Sequence, residues 1–292
     1  MRKSRWWLYY PVLLGFTAFV LLDTFVIPRR YGSAEVSADS AAEPVSTAAV
    51  TQTENSYEDE HLRVELQEYR VEDTTVYVAD ITVLSGSGLQ TALAEDTYGR
   101  NITETTSSIA AAHQAVIAVN GDYYGARNTG YVIRNGTLYR AQAGTDRQDL
   151  VIDSDGAFSF VQESEVTAQE LLGSGAQQVF SFGPALVRNG SVCVTTGAEV
   201  GQSMQSNPRT AVGILGEGHY VLVVSDGRTA ESAGLSLYEL AVFLQSLGVQ
   251  QGYNLDGGGS STMVFCGRVV NQPTTTGNSI KERKVSDIVY FG

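Results

Sequence analysis

Residues 252–265 read Gly252-Tyr253-Asn254-Leu255-Asp256-Gly257-Gly258-Gly259-Ser260-Ser261-Thr262-Met263-Val264-Phe265. The apolar residues at both ends predict two short strands, and Asp256 stands where the first strand stops. Glycines accept positive φ angles and let backbone N–H groups approach a ligand, so this turn can form a concave set of donors for an anion. A hairpin turn whose aspartate caps its own loop would have a similar composition. The flanking Asn-x-Asp and the three hydroxyl residues favour a site.

The segment before this stretch predicts an amphipathic helix over residues 236–247. Its apolar residues recur on one face, at Leu237, Leu240, Ala241, Leu244 and Leu247. Ser236 and Glu239 have the spacing of a capping box, and Gly248 stands where the helix would end. The helix leads into a predicted strand at residues 249–255, and this strand ends at Asp256.

Most of the chain predicts strands joined by tight turns. Strands are predicted at residues 62–71, 75–84, 115–120 and 285–291, and turn residues predict hairpins at 135–136, 153–156, 189–190 and 217–218. Short helices are predicted at residues 89–94, 105–113 and 167–172. The predicted fold class is α+β, with a large twisted, mostly antiparallel sheet, several hairpins and a few helices, after an N-terminal membrane helix.

The N-terminal region predicts a membrane anchor at residues 1–30. Residues 6–27 are almost all apolar, and Arg2, Lys3 and Arg5 before them favour a cytoplasmic N-terminus with the C-terminal domain outside. A cleavable signal peptide, which would give a secreted protein, is the alternative. Residues 31–59 are rich in Ser, Ala, Thr and Glu and predict a flexible stalk, which leaves residues 60–292 as the functional domain.

The overall composition excludes several classes of function. The net charge of −13 argues against a nucleic-acid partner, and 43% hydrophobic residues suffice for a sizeable core. The three histidines lack the spacing of a zinc hydrolase, and no Gly-x-Ser-x-Gly elbow is present. The two cysteines, Cys193 and Cys266, can form a disulfide outside the cell or remain free apolar thiols.

Three aspartates at predicted strand ends are candidate catalytic carboxylates. Asp256 is the first candidate, and Asp122 and Asp226 compete for the role of a second carboxylate. A calcium ion could be bound there, with Asp256, Asp122 or nearby carbonyl groups as its candidate ligands.

Residues 254–260, Asn-Leu-Asp-Gly-Gly-Gly-Ser, resemble the signature of the phosphodiester glycosidase family. Further segments follow in the family's order, at residues 118–124, 207–213, 225–228 and 235–241. The resemblance covers roughly residues 76–292. It implies a hydrolase that cleaves the glycosidic bond of sugar 1-phosphodiesters. Together with the predicted membrane anchor, which places the domain outside the cytoplasm, it predicts a substrate in a surface glycan or a phosphate-containing polymer.

The resemblance also implies roles for individual residues. Asp256 would be the nucleophile or base, assisted by Asp122 or Asp226. Guanidinium groups suit phosphate oxygens, hydroxyl and amide groups suit sugar or phosphate, and aromatic rings suit a pyranose. The candidate binding residues are therefore Asn120, Tyr123, Arg209, Thr210, Arg228, Asn254, Gly257, Gly258, Gly259 and Ser260, with Tyr124 and Tyr253 as further stacking rings. A non-catalytic glycan- or phosphate-binding module of the cell surface would use the same loops.

Overall fold

The computed structural model describes residues 9–33, 50–86, 88–198 and 206–292. Four α-helices lie in these ranges, namely α1 (Tyr9–Phe25), α2 (Thr106–Ala112), α3 (Ala168–Gly173) and α4 (Leu237–Ser246).

The strands carry most of the structure. The first ten are β1 (Arg29–Ser33), β2 (Thr51–Gln52), β3 (Ser56–Glu58), β4 (Leu62–Val71), β5 (Thr74–Val83), β6 (Gln90–Leu93), β7 (Thr97–Arg100), β8 (Ile117–Asn120), β9 (Val132–Arg134) and β10 (Thr137–Arg140). The others are β11 (Gln148–Ile152), β12 (Phe158–Gln162), β13 (Gln178–Phe180), β14 (Ala185–Arg188), β15 (Ser191–Val192), β16 (Arg209–Gly216), β17 (His219–Ser225), β18 (Gln251–Asn254), β19 (Met263–Phe265), β20 (Arg268–Val269) and β21 (Asp287–Phe291).

The strands form three main sheets and one small one. The largest has nine strands in the order β15-β14-β18-β16-β17-β5-β4-β3-β2. Two five-stranded sheets have the orders β10-β9-β13-β11-β12 and β20-β19-β8-β21-β6, and β1 pairs with β7 alone. Neighbouring strands within the described ranges run antiparallel, as for β16 with β17 and β18. The expected α+β class is confirmed, but three sheets replace the single large one.

The three main sheets share one apolar core, and each carries a helix on its other face. The shared core contains Val212 and Leu222 from the nine-stranded sheet, Val119 and Val289 from one five-stranded sheet, and Phe180 from the other. On the outer faces, α4 packs on the nine-stranded sheet, α2 on the β8 sheet and α3 on the β11 sheet. Burial of apolar side chains on both faces explains why so many strands carry consecutive apolar residues.

The helix before the glycine stretch forms as its sequence predicts. The side chain of Ser236 accepts a hydrogen bond from the Glu239 amide, and the Glu239 carboxylate accepts one from the Ser236 amide. Leu237, Leu240 and Leu244 are fully buried on one face. These contacts hold α4 against β14 and β18, so the chain enters β18 in a fixed position.

Two predictions of secondary structure are corrected. Residues 89–94 were expected to be helical, but Gln90–Leu93 is strand β6, paired with β21. A segment this short has no room for helical periodicity, and its pairing partner lies about 200 positions away in the chain. The two predicted strands around the glycines, β18 and β19, exist but belong to different sheets. The stretch therefore crosses between sheets and is not a hairpin turn.

The N-terminal region is described only in part. Residues 1–8 of the predicted anchor lie outside the described ranges, and none of the helices within them combines the length and apolar character needed to cross a membrane. Residues 34–49 of the predicted stalk are likewise outside the description. The nine-stranded sheet begins with β2 at Thr51, ahead of the expected boundary at residue 60. These short strands are largely exposed, so they lack the apolar alternation that predicts strands.

Both cysteines are free thiols. Cys193 is exposed and Cys266 is partly buried, so the disulfide alternative does not hold in this structure.

Candidate functional site

The ends of strands from two sheets meet at Asp256. β18 of the nine-stranded sheet ends two residues before Asp256, and β8 of a five-stranded sheet ends at Asn120. The amide of Asp256 donates to the carbonyl of Gly121 at 3.2 Å, and the amide of Leu255 donates to the carbonyl of Thr210 at 2.9 Å. The predicted catalytic segments therefore come together from distant parts of the sequence.

The side chain of Asn120 fastens this junction. Its Nδ2 donates to the carbonyl of Asp256 at 2.6 Å, and its Oδ1 accepts from Thr210 Oγ1 at 2.8 Å and from the Thr262 amide at 3.3 Å. Asn120 and Thr210 are both fully buried. Their predicted contact with substrate is replaced by a positioning role, because their polar atoms are already bonded within the protein.

Asp256 is paired with an arginine that the sequence did not single out. Arg283 Nη2 donates to Asp256 Oδ2 at 2.9 Å, and its Nε and Nη2 donate to Ser260 Oγ at 2.9 and 2.6 Å. The Arg283 side chain is 39% exposed, and that of Asp256 is 12% exposed. Burial raises the pKa of the Asp256 carboxyl above its usual value, although Arg283 and Ser260 oppose this shift.

Arg283 escaped the sequence analysis because its neighbours resemble an ordinary charged loop. Residues 281–284 read Lys-Glu-Arg-Lys, a pattern typical of solvated surface. The structure shows that Glu282 anchors this loop, which no pattern in the sequence indicates. Its carboxylate accepts from the amide and the hydroxyl of Ser107, at 3.0 and 2.6 Å.

Two predicted binding residues lie beside this pair. Tyr123 has a φ of +66°, is 43% exposed and lies with its ring 5.9 Å from the Arg283 guanidinium. Arg228 donates from Nε and Nη2 to Asn207 Oδ1, at 3.1 and 2.8 Å, and from Nη1 to the carbonyl of Thr275 at 2.5 Å. Burial together with the charge of Arg283 lowers the pKa of Arg228. The charges of the two arginines are therefore felt by each other, and only Arg283 is bonded to Asp256.

The glycine stretch shapes the site more than it supplies donors. Gly258 has a φ of +61°, and a Cβ there would lie 3.0 Å from Arg228 Nη2. Its amide already donates to the carbonyl of Pro208 at 2.8 Å. The predicted anion nest from the amides of Gly257, Gly258 and Gly259 therefore lacks its middle donor. The absence of a side chain at Gly258 gives the guanidinium of Arg228 room to lie against the glycine stretch.

The other predicted residues are buried within the protein. Arg209 is 3% exposed and donates from Nε to the carbonyl of Leu235 at 2.8 Å, so the structure holds it inside instead of presenting it to phosphate. Asn254 donates to the carbonyl of Gly183 at 2.8 Å, and its buried Oδ1 has no partner among the described residues. Tyr124 and Tyr253 are core residues, which leaves Tyr123 as the accessible ring.

Asp122 and Asp226 do not face the Asp256 pair with free oxygens. Asp122 is 2% exposed, forms an ion pair with Arg134 at 2.9 Å and accepts from the amides of Tyr124 and Ser181. Burial opposes its ionisation, but Arg134 and the Ser181 amide hold the pKa of Asp122 below its usual value. Asp226 is 3% exposed and accepts from Asn271 and the Gln272 amide, and burial raises its pKa.

The described residues contain no group of three or more acidic, histidine or cysteine side chains that could hold a metal ion. Asp256 and Asp122, the proposed calcium ligands, are each paired with an arginine. Both carboxylates of the predicted calcium site are therefore already paired with a cation.

Comparisons with known proteins show the family of this chain. Residues 113–292 match the sequence model of the phosphodiester glycosidase family. This match covers more than half of the chain, and the chain belongs to that family.

Curated relatives include proteins with and without a named activity. An uncharacterised prophage-derived protein of Bacillus subtilis, YomE, is 32% identical over 184 residues, which are 60% of this chain and 28% of that protein. The mouse N-acetylglucosamine-1-phosphodiester alpha-N-acetylglucosaminidase is 30% identical over 175 residues, which are 54% of this chain and 33% of the enzyme. The chain thus spans about a third of the length of these relatives.

Solved structures show the same fold. The catalytic domain of the zebrafish N-acetylglucosamine-1-phosphodiester alpha-N-acetylglucosaminidase, auto-inhibited by its pro-peptide, superposes with a TM-score of 0.61 at 21% identity. The alignment covers 91% of this chain and 88% of that domain. A hypothetical protein from Synechocystis superposes with a TM-score of 0.58 at 15% identity, over 80% of this chain and 62% of that one.

Proposed function

We propose that this protein hydrolyses the glycosidic bond of sugar 1-phosphodiesters, with Asp256 as its catalytic carboxylate. The observation that carries the proposal is the group of Asp256, Arg283 and Arg228 at the junction of two sheets. Asp256, a carboxylate of raised pKa, is paired with Arg283, and Arg228 lies within range of the charge of Arg283. Family membership supports the same reaction class.

The chemistry divides between the carboxylate and the arginines. Water adds to the anomeric carbon, the bond from this carbon to the phosphate oxygen breaks, and the phosphate monoester leaves with the electron pair. Asp256 acts on the anomeric carbon as a nucleophile or activates the water as a base. Arg228 and Arg283 hold the phosphate, whose negative charge makes it a ready leaving group that needs no strong general acid.

The position of Tyr123 supports a sugar subsite on the same side. Its half-exposed ring beside Arg283 offers an apolar face against which a pyranose can stack.

The test is hydrolysis of a synthetic N-acetylglucosamine 1-phosphodiester by the full chain. We expect release of free sugar by the unaltered protein and no release by Asp256→Asn. Asp155→Asn, the same substitution at an exposed turn, should behave like the unaltered protein. Parallel reactions with a chelator test the calcium alternative, and the anomer first released separates a nucleophile from a base.

Absence of sugar release from several sugar 1-phosphodiesters by folded protein would contradict the proposal. Binding of the same diesters, measured by calorimetry, would then favour the non-catalytic binding module. A binding module predicts that Asp256→Asn changes affinity alone.

We also propose that the domain works outside the cytoplasm. The apolar run at residues 6–27 and the preceding Arg2, Lys3 and Arg5 support this placement. Fusion of alkaline phosphatase to the C-terminus should give active reporter, whereas an inactive reporter in cells that express the fusion would contradict the placement.

A further inference from the structure

A cavity of about 210 Å³ is lined by the residue that follows Tyr123 in the chain. Tyr123 belongs to the Asp256 site, whereas Tyr124 lines the cavity together with Tyr31 and Tyr98. This volume is below the roughly 300–1,000 Å³ of sites for drug-sized ligands, so the cavity suits a single small group.

The N-terminal segment closes one side of the cavity. Strand β1, which carries Tyr31, pairs with β7, which carries Tyr98 and Arg100. The contact is close, because a Cβ at Gly99 would lie 2.1 Å from the carbonyl oxygen of Arg29. The ring of Tyr98 lies 6.1 Å from that of Tyr31 and 5.2 Å from that of Tyr124, so the tyrosines form one continuous wall.

The remaining wall is cationic. Arg100, Arg127 and Arg140 line the cavity, and no acidic side chain is among the described residues that line it. This concentration of arginines is unusual in a chain with a net charge of −13. Guanidinium groups grouped around a small space are the common arrangement for binding phosphate or carboxylate.

The three arginines differ in how much of their hydrogen-bonding capacity the protein uses. Arg140 donates to the carbonyls of Tyr124 and Arg127, and Arg127 donates to that of Ser181. The Nε of Arg100, in contrast, is buried and has no partner in the described ranges. Asp23 is close enough to interact with the charge of Arg100, but it gives this Nε no hydrogen bond. A buried charged donor without an acceptor is costly, so this atom is available to a ligand oxygen.

The charges around the cavity are only partly balanced. Burial lowers the pKa of both Arg127 and Arg140, although the charge of Asp122 opposes the shift at both and that of Asp256 opposes it at Arg127. An anion in the cavity would balance the positive charges of Arg127 and Arg140 at closer range than the two aspartates do.

We propose that this cavity is a second anion subsite, which holds a phosphate of the substrate other than the one next to the scissile bond. This inference rests on the proposed function, and it narrows the substrate class to sugar 1-phosphodiesters that carry a further phosphate, as in a chain of phosphodiester-linked units. Arg100 binds the second phosphate, and Tyr31 and Tyr98 pack against the carbon chain or ring that bears it.

The kinetic test compares two synthetic substrates with the full chain. Both are N-acetylglucosamine 1-phosphodiesters. The aglycone of the first ends in a hydroxyl group, and the aglycone of the second ends in a phosphate. We expect a KM about tenfold lower for the second substrate, which corresponds to about 1.4 kcal/mol. Arg100→Gln and Tyr31→Ala should both bring the ratio of the two KM values close to one.

The control is Arg188→Gln, which removes an exposed arginine that stacks on Phe160 in another sheet and should keep the full ratio. Tyr31 is 61% exposed, so its truncation leaves the fold intact even if Arg100→Gln does not. Equal KM values for the two substrates in the unaltered protein would overturn the subsite.

A binding measurement separates this inference from the proposed reaction. Pyrophosphate is titrated into the unaltered protein, Arg100→Gln and Arg188→Gln in a calorimeter. Binding that only Arg100→Gln loses supports the subsite even if neither substrate is hydrolysed. If both substrates are hydrolysed but pyrophosphate binding is absent or does not depend on Arg100, the subsite is overturned and the proposed function stands.

Discussion

Two pairs of aspartate and arginine lie near the ends of strands in this protein and differ sharply in their surroundings. Asp122 and Arg134, with Asp287 as a third member, have side chains that are no more than 2% exposed. Asp256 and Arg283 are 12% and 39% exposed. The first group is a buried ionic cluster, whereas the second reaches solvent beside an exposed tyrosine.

The difference shows that surroundings, not residue type, separate structure from function here. In the buried cluster, one guanidinium faces two carboxylates, and burial followed by the influence of Asp122 raises the pKa of Asp287 to about 7. Its members bond to amides and carbonyls on several strands. In the Asp256 pair, Arg283 balances the single carboxylate and the charge of Arg228 lies near that of Arg283, so an anionic substrate can balance the second arginine.

The largest effect should follow from Asp256→Asn. We expect kcat to fall about 10³-fold or more, because no second carboxylate in the described structure faces the same place. The free energy of unfolding should change little, since neutralising a carboxyl whose burial already disfavours charge removes little stabilisation. Initial rates and urea denaturation check both parts. An unchanged rate would remove Asp256 from the mechanism.

The buried cluster should respond in the opposite way. Arg134→Gln leaves Asp122 and Asp287 without their cation, and we expect a loss of about 3–5 kcal/mol in the free energy of unfolding. Asp122→Asn should also lower stability, because both Asp122 oxygens accept hydrogen bonds in the protein. Urea denaturation monitored by circular dichroism measures the loss, with Asp256→Asn as the matched control. Equal urea midpoints for Arg134→Gln, Asp122→Asn and Asp256→Asn would contradict the distinction between the two pairs.

Arg283→Gln should shift the pH dependence of the reaction. The proposed reaction needs Asp256 in its ionised form, so the rate should fall as the pH falls through the pKa of Asp256. Loss of the Arg283 charge raises that pKa further, and the acid limb of the kcat profile moves to higher pH. We also expect kcat/KM to fall roughly 10- to 100-fold from the lost charge-assisted hydrogen bonds. Arg188→Gln is the control, and an unmoved acid limb in Arg283→Gln would show that the pair is not coupled.

The smallest effect should come from the loop that carries Arg283. Glu282→Gln weakens the two hydrogen bonds to Ser107, and we expect kcat/KM to fall about fivefold, or about 1 kcal/mol. The acid limb should move in the same direction as in Arg283→Gln, because Asp256 loses a well-placed partner. Lys284→Gln, the exposed neighbour in the same loop, should leave both quantities unchanged. A rate loss without any shift would indicate a purely structural role for Glu282.

The sequence predicted the local parts of this structure well because their signals are local. The capping box of α4, the four hairpin turns and the alternation of apolar residues in β5 each depend on residues within a few positions. The strand β6 and the division into three sheets depend on partners far along the chain, which periodicity does not report. The same distinction applies to the site.

Asp256, Tyr123, Arg228 and Gly258 were identified from motifs, and the structure brings them together. Arg283 was missed because a charged loop carries no mark of what it faces after folding. Asn120 and Arg209 were identified as binding residues, but their side chains are bonded inside the protein. A motif reports that a residue matters to this region, while its burial decides whether it contacts a ligand or holds the residues that do.

The side-chain amide of Asn120 has a consequence for how the protein can change over evolution. It joins the end of β8 to the main chain of Asp256, to Thr210 and to Thr262, so the backbone that carries the carboxylate cannot move without breaking several hydrogen bonds at once. New substrate preferences must therefore arise at the periphery, through Tyr123, the loop at residues 281–284 and the wall supplied by Tyr31. Slow hydrogen exchange at the Thr262 amide, beside faster exchange in that loop, would reveal this rigid centre and its adaptable rim.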